Sequence, residues 1–515
     1  LWRLMLLLVN GKKILFDWAS VITALLLILF VFVAGSNLQY NTAFVDEAIY
    51  ANVGEEFMRQ AYWDAPLSWM GGSYAYPVMS ATINRLSGLW GIRMASTIMV
   101  LIVAWCVGII GKRVAGNWGR PLAIGFYLFS APTLSVAQLA TYDAPSMMTF
   151  TIGALALILS LDQQGWKKYS LIALSGIMIG GSILIKYVTI LATAPLALLH
   201  ITAKKQWFLG GLFWGWILIA IISPYVYLNY TDLHAYAIGG NSIEITSRMR
   251  ILLQMIEQIP AQFIGALLTA ILLVINRNKG KKDRIWIILL IGAAPIIYHL
   301  GSGNIRSFNK HLSLATVMWA PLSAWSTITI SKMYRHYRLS HGLVANSMQL
   351  INSIVLIAIF TSLWTTFSIH WRFERSWPSA SKTVEYLDKR LTTGDKVFAE
   401  GAATYKYHLF RGFGDPSAWP STWYYQRDGK YGTEAMKDAI ENQEFRYIIL
   451  NKYFTSETDE AILPTVIENY EPVFDEKYLL SGVHEMTTTV WEKKSKKQFG
   501  FFDLLVKSEI ESNLI

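Results

Sequence analysis

Eleven apolar runs, most of them near the ~17–25 residues that cross the hydrocarbon core of a bilayer, punctuate the first 366 residues of this 515-residue chain. They fall at 19–36, 93–110, 121–137, 146–161, 169–185, 187–202, 207–223, 258–276, 285–300, 312–330 and 348–366. Lipid offers no water to bond a bare N–H or C=O, so a chain built this way is confined to a bundle of α-helices. Composition agrees, with 53% hydrophobic and only 16% charged residues, where a soluble domain carries about 25% charged. The 20 Trp and 26 Tyr suit the membrane–water interface. One cysteine, Cys106, lies inside an apolar run and excludes a disulfide-stapled fold. The first run follows Lys12 and Lys13 and ends near Ala34-Gly35-Ser36, as a signal peptide does. Its length of about 18 residues and the runs that follow predict an uncleaved helix.

Charge then orients the chain. The formal net charge of +10 divides into +14 for residues 1–366 (26 Lys+Arg, 12 Asp+Glu) and −4 for residues 367–515 (19 against 23). A nucleic-acid partner does not follow, because the excess belongs to the membrane part. With a cytoplasmic N-terminus and alternating spans, 18 basic residues fall inside and 8 outside, the bias expected of cytoplasmic loops. Acids run the other way, with Asp17, Asp162 and Asp283 inside and nine outside. The inner loops are short and basic. The outer ones are long and varied: residues 37–92 carry Trp63, Trp69, Gly71-Gly72 and Pro77, and residues 224–257 are rich in Tyr and hold Gly239-Gly240. Long loops of this kind tend to be functional. Glu55–Met58 and Ile83–Leu86 read as short surface helices.

Two domains are therefore expected. Residues 1–366 form a transmembrane catalytic domain with the long first outer loop 37–92, and residues 367–515 a soluble extracytoplasmic α/β domain. In the latter, Lys382–Leu391 predicts an amphipathic helix, and Lys396–Ala399, Phe445–Leu450 and Thr488–Trp491 predict strands. It contains no GxGxxG, P-loop or cysteine cluster.

Candidate chemistry gathers on the outer side. Asp46-Glu47 follows the first run directly. A carboxylate pair there reads either as a general base, its pKa raised by partial burial, or as acids in the first turn of a helix. Asp143, in Thr141-Tyr-Asp-Ala-Pro145, is a good helix-start signal that emerges on the same side. Arg93, Lys186 and the cluster Arg306, Lys310 and His311 can hold a phosphate at headgroup level or simply snorkel to the interface. Asp46, Glu47, Asp64 and His311 show no ligand spacing, so a divalent metal is possible but not favoured and no cofactor is expected. Asn229-Tyr-Thr231 matches a glycosylation acceptor.

Taken in order, these pieces resemble the GT-C superfamily of integral-membrane glycosyltransferases, in particular family 39: the protein O-mannosyltransferases and the lipid A aminoarabinose transferases. The likeness rests on Asp46-Glu47, Tyr76-Pro77 with Gly88-Leu-Trp-Gly-Ile-Arg93-Met, Gly116 with Pro132, Thr141–Pro145 and Gly180-Gly-Ser-Ile-Leu-Ile-Lys186. It also extends to an outer C-terminal α/β domain. It implies a polytopic GT-C-like helical fold and a sugar donor linked to a polyprenyl phosphate, a hexosyl or pentosyl group being passed with inversion to a lipid, glycan or protein acceptor. Asp46 matches the family's first-loop catalytic aspartate, Glu47 its partner and Asp143 a second acidic position. The basic residues are then candidates for the donor phosphate. Relatives often carry a lysine before the first-loop proline, where this chain has Tyr74-Ala-Tyr76. The expected setting is the cell envelope, in a bacterial or archaeal plasma membrane. Two other readings remain: an O-antigen-type polymerase or ligase, and a polytopic lipid or sugar transporter. Transporters usually show repeated halves and ionisable residues near mid-bilayer, and here the ionisable residues gather at one surface.

Overall fold

In a computed structural model, residues 7–9, 12–14, 17–36, 38–59, 70–202, 207–238, 245–275, 282–337, 353, 357, 359–368, 375–423, 425–481 and 484–494 are described. Trp63, Asp64, Trp69, Gly239, Gly240 and about half of the run at 348–366 lie outside them. Chain contacts divide the protein into two compact units, one of Leu1–Leu38 with Ala65–Trp371 and one of Gln39–Asp64 with Arg372–Ile515. The break near 371 lies close to the boundary expected at 366. The long first loop, however, is shared out: its first part belongs with the C-terminal residues.

In the first unit, β1 (Leu7–Val9) and β2 (Lys12–Ile14) pair as an antiparallel hairpin before α1 (Trp18–Gly35). Then come α3 (Ala75–Ala115), α4 (Gly119–Leu128), α5 (Ala131–Gln138), α6 (Asp143–Ser160), α7 (Gly165–Ile185), α8 (Ile190–Ala197), α9 (Trp207–Leu228), α10 (Tyr230–Ile238), α11 (Arg248–Gln258), α12 (Pro260–Ile275), α13 (Lys282–Ser302) and α14 (Phe308–Tyr337); α2 (Val45–Met58) belongs to the second unit. Among the described residues, six helices are long and apolar enough to cross a membrane, or seven if α11 and α12, bent by 103°, count as one. This is an integral membrane protein.

Several of the eleven runs are not single helices, for local reasons. The run at 121–137 breaks between α4 and α5, where Ser130 is extended and Pro132 opens the next helix. That at 187–202 is α8 between two short 3₁₀ turns, with Pro195 inside it. The run at 258–276 begins at the α11–α12 bend, where Ile259 leaves the helical region ahead of Pro260. Residues 75–92, expected in the outer loop, are helical and lead into the second run through a kink at Gly88 (φ 64°, ψ −164°), a backbone conformation open to glycine.

The core joins Val103, Val107 and Ile110 of α3 to Tyr127 of α4, Phe150 of α6, Ile291 of α13 and Met318 of α14. Between helices in lipid, close approach replaces the hydrophobic effect. A Cβ on Gly176 or Gly180 of α7 would lie 2.7 or 2.8 Å from Ile217 or Ile221 of α9. Polar side chains of α14 are satisfied across the bundle: Trp319 Nε1 donates to Leu289 O (3.1 Å) and Thr316 Oγ1 meets Thr133 Oγ1 (3.4 Å). At the end of α6 opposite Asp143, Asp162 bridges Arg113 (2.5 Å) and Arg284 (2.8 Å).

The second unit holds a four-stranded sheet of β3 (Val397–Ala399), β6 (Tyr447–Leu450), β8 (His484–Lys493) and β7 (Tyr470–Leu480), in the spatial order β3-β6-β8-β7. β3 and β6 are parallel, while β6–β8 and β7–β8 are antiparallel. β4 (Gln426–Arg427) and β5 (Lys430–Tyr431) form a small hairpin. Both sheet faces are covered, so β6 is apolar throughout. Tyr447 and Ile449 pack with Leu387 of α15 (Ser381–Asp388) and Leu409 of α16 (Ala402–Leu409). Ile448 and Leu450 pack with Met436 of α17 (Gly432–Glu441) and Ile462 of α18 (Ser456–Asn469).

After β6 the chain turns through Lys452 (φ 57°) and wraps the buried carboxylate of Glu400. Backbone N–H groups of Asn451 (3.1 Å), Tyr453 (3.3 Å), Phe454 and Thr455 (2.6 Å) all donate to it. Buried Asp459 lies alongside and accepts from Lys452 N (3.0 Å) and Thr455 Oγ1 (3.2 Å). Burial, and then the neighbouring Glu400, push the Asp459 carboxyl up to about 8. A carboxyl raised in the folded state stabilises below its unfolded value, near 3.8, and that contribution is lost as pH rises towards 8. Thermal unfolding of the whole protein at pH 5 and pH 8 should therefore show a midpoint lower by a few degrees at pH 8. Asp459→Asn, which cannot titrate, should flatten that difference.

Candidate functional site

The first unit concentrates its buried charge where α6 begins and α7 ends. These helices are antiparallel neighbours, so Asp143 at the start of one meets Lys186 at the end of the other. The two form a buried ion pair, with 2% and 7% of their side chains exposed. Thr141 Oγ1 donates to the second Asp143 oxygen (2.8 Å), and the ammonium lies 5.0 Å from the centre of the Tyr142 ring. Lys186 is extended (φ −147°, ψ 111°), which stops α7 there. The segment before α3 fixes this geometry: Ser73 N donates to Leu184 O (2.8 Å) and Tyr187 N to Gly71 O (2.9 Å). A Cβ on Gly72 would lie 2.2 Å from Ile185 O, so the approach requires glycine.

From the other side come the turn before α14 and its first residues. His299 and His311 share a hydrogen bond (2.7 Å) between Nε2 and Nδ1, and the other His299 nitrogen is bonded to Asn304 O. A small cavity is lined by Asp143, Ser146, Lys186, Thr189, Lys310 and His311, among others. The ammonium groups of Lys186 and Lys310 and the carboxylate of Asp143 all border this cavity. It can hold an anion through charge-assisted hydrogen bonds.

Four of the expected residues thus meet around one cavity: Asp143, Lys186, Lys310 and His311. Arg93 and Arg306 do not line it. Arg93 is fully buried just beyond the Gly88 kink and donates to Leu38 O (2.8 Å), which ties the end of the first helix to the second. Arg306 is exposed in the turn before α14, its N–H bonded to Asn304 Oδ1 (2.9 Å). Tyr142 and His299 are additions that the sequence reading missed. Tyr142 adjoins Asp143, but His299 shows no local pattern that marks it. Among the described residues, no group of three or more His, Cys, Asp or Glu is arranged as a metal-ligand set.

Asp46 and Glu47 lie in the second unit, in the first turn of α2 (Val45–Met58). Glu47 is buried and its Oε2 accepts from Phe44 N (2.8 Å), closing the helix start. Asp46 is half-buried. α2 is fastened to α16. Lys406 Nζ pairs with buried Glu56 (2.6 Å), Asn52 Nδ2 donates to Ala403 O (2.9 Å) and Ala43 N donates to His408 Nε2 (2.9 Å). Gly414 N donates to the other Glu56 oxygen (2.8 Å). Ahead of α2, Asn41 and Thr42 are stitched to Trp377 by hydrogen bonds of 3.0 and 3.1 Å.

Residues 75–228 match the family model described as Dolichyl-phosphate-mannose-protein mannosyltransferase. The structure is similar to that of ArnT from Cupriavidus metallidurans bound to undecaprenyl phosphate, with a TM-score of 0.61 and 13% identity, covering 93% of this chain and 99% of that one. The chain shares the fold of this ArnT. The apo form of the same ArnT gives 0.59 at 12% identity, over 92% and 98% of the two chains. The arabinofuranosyltransferase AftD from Mycobacteria gives 0.51 at 14% identity, over 93% of this chain and 42% of that one. No curated protein matches the sequence. The matched family segment runs from α3 to α9, and so takes in Asp143 and Lys186 but neither Asp46 nor His311.

The attachment of α2 to the second unit has a measurable consequence. Removing one partner of a buried ion pair costs about 3–5 kcal/mol, because the other charge is left uncompensated. Lys406→Met should therefore accelerate amide exchange across residues 45–58 in hydrogen-exchange mass spectrometry of the intact protein. Glu56→Gln combined with Lys406→Met should restore much of the protection.

Proposed function

We propose that this protein transfers a sugar from a polyprenyl-phosphate-linked donor to an acceptor hydroxyl at the outer face of the membrane. The observation that carries this reading is the cavity in which Lys186 and Lys310 face Asp143 within a GT-C fold. A glycosyl phosphate is already activated, so the chain must supply a base for the acceptor and positive charge for the departing phosphate. We assign the second task to Lys186 and Lys310, with His311 beside them and Asp143 holding Lys186 in place. The ArnT whose fold this chain shares was solved with undecaprenyl phosphate, a ligand of the class assigned to this cavity.

We assign the first task to Asp46, on the family resemblance. The acceptor oxygen attacks the anomeric carbon and Asp46 takes its proton. The bond from that carbon to the phosphate oxygen breaks, and the lipid phosphate leaves with the electron pair, so the configuration inverts. Glu47 has a supporting part, since its carboxylate caps the turn that carries Asp46. Arg93 and Arg306 drop out of the phosphate-binding set on the geometry described above. The accompanying topology is eleven crossing segments, a cytoplasmic N-terminus and an extracytoplasmic C-terminal domain, in the plasma membrane of a bacterial or archaeal cell.

Purified protein in lipid nanodiscs should transfer sugar from a synthetic polyprenyl-phosphate donor. Asp46→Asn should lower kcat by roughly 10²–10⁴, the usual contribution of a general base, with little change in donor KM. Unchanged turnover in a folded Asp46→Asn protein would sink that assignment. Lys310→Met, and Lys186→Met paired with Asp143→Asn to remove both buried charges together, should instead raise donor KM; donor binding at wild-type strength in both would remove the cavity from the reading.

A further inference from the structure

The second unit has a cleft that the transfer chemistry does not use. It offers about 390 Å³ of space, within the ~300–1,000 Å³ of small-ligand sites. Its floor is one face of β8. Successive side chains of a strand alternate between faces, so Thr487, Thr489 and Trp491 line it together. One wall is α18, through Leu463, and the rim is the turn of Asn451 and Lys452 that closes β6. α18 covers the Trp491 end and leaves Thr487 exposed.

The chemistry of this lining is specific. Trp491 supplies an aromatic ring whose Nε1 has no hydrogen-bond partner. Thr487 and Thr489 supply hydroxyls. Asn451 Oδ1 is occupied by Tyr453 N (3.1 Å), which leaves its amide N–H groups as the donors on offer. Charges at the mouth are paired off, Lys452 with Glu460 and Lys477 with Glu485, each at 3.4 Å. Asp459 is committed to the backbone of Lys452 and the hydroxyl of Thr455. A net-charged ligand therefore finds no counter-charge to recognise it. A β-strand peptide finds no free edge, because β8 lies inside the sheet. What remains complementary is a molecule with apolar C–H faces and many neutral hydroxyls.

We propose that the cleft between β8 and α18 binds a neutral oligosaccharide, one sugar ring lying against Trp491 with its hydroxyls reaching Thr487, Thr489 and Asn451. Sugar binding is independent of the transfer reaction. The further role of docking a glycan acceptor or product rests on the transferase reading above.

Saturation-transfer-difference NMR on the full-length protein in nanodiscs tests this, with manno-, galacto- and arabinotriose as probes. At least one trisaccharide should receive saturation, strongest on C–H protons of one ring. Thr487→Arg, which fills the cleft from an exposed position, should weaken binding about tenfold with the melting temperature unchanged. Trp491→Phe keeps the ring without the N–H, and should weaken it less. No saturation of any of the three, or saturation unchanged by Thr487→Arg, would overturn the proposal even if transfer from a lipid-linked donor is seen. Binding that Thr487→Arg abolishes, in a protein that transfers no sugar, would uphold the cleft and remove its acceptor role along with the transferase reading.

Discussion

A charge taken out of water must be paired or wrapped in hydrogen-bond donors, and each unit of this protein is arranged around that constraint. In the membrane unit, Asp143 and Lys186 answer each other at the junction of α6 and α7. Their meeting fixes where α7 ends, how residues 71–73 run beside it, and which side chains can border the cavity. In the second unit, Lys406 answers Glu56, while Glu400 pairs with no cation among the described residues and is held by the backbone of residues 451–455. The first arrangement keeps positive charge next to a cavity. The second attaches a helix from far upstream, and the third shapes the turn that rims a cleft.

Buried pairs of this kind are costly, and apolar substitutes of the same volume are often as stable. Their presence is therefore easier to explain by position than by stability. Asp143 draws Lys186 out of the snorkelling orientation that a lysine at a helix end otherwise adopts, and turns its ammonium inwards beside Lys310. The Tyr142 ring, 5.0 Å from that ammonium, adds a neutral surface that holds a cation without neutralising it.

How far the sequence reveals this depends on whether the signal is local. The sorting of charge to the two ends of the helices is legible. Arg113, Asp162 and Arg284 were all assigned to inner loops, and they meet in one ion-pair cluster. Asp143, Lys186, Lys310 and His311 were assigned to the outer side, and they share one cavity. The strand core at Tyr447–Leu450 is legible for the same reason, since an apolar run bounded by turns has few other uses. Helix breaks at Ser130 and Ile259 were hidden, because hydropathy averages over a proline-containing bend. The burial of Arg93 was hidden as well. Its partner is the carbonyl of Leu38, and a backbone acceptor leaves no mark in the sequence.

The deepest omission concerns α2. Residues 45–58 fall in the long outer loop after the first apolar helix, and read in isolation they belong with the membrane domain. Their partners lie some 350 residues downstream in the sequence: Glu56 meets Lys406 and Asn52 meets Ala403. No periodicity or motif connects such positions, because each contact is one ion or hydrogen-bond pair whose specificity appears only after folding. The consequence reaches the adjacent carboxylates that first drew attention. Both readings of Asp46-Glu47, helix-start acid and chemical base, looked like alternatives. In the structure Glu47 takes the helix-start part, and the base is the part proposed for Asp46. Glu47 is turned inward and spent on the N–H of Phe44, which is what a helix start requires. The half-buried neighbour, Asp46, is held in that same turn by a helix anchored to the C-terminal unit. A carboxylate that must act as a base needs fixed geometry more than it needs stability, and a capped, ion-paired helix supplies it.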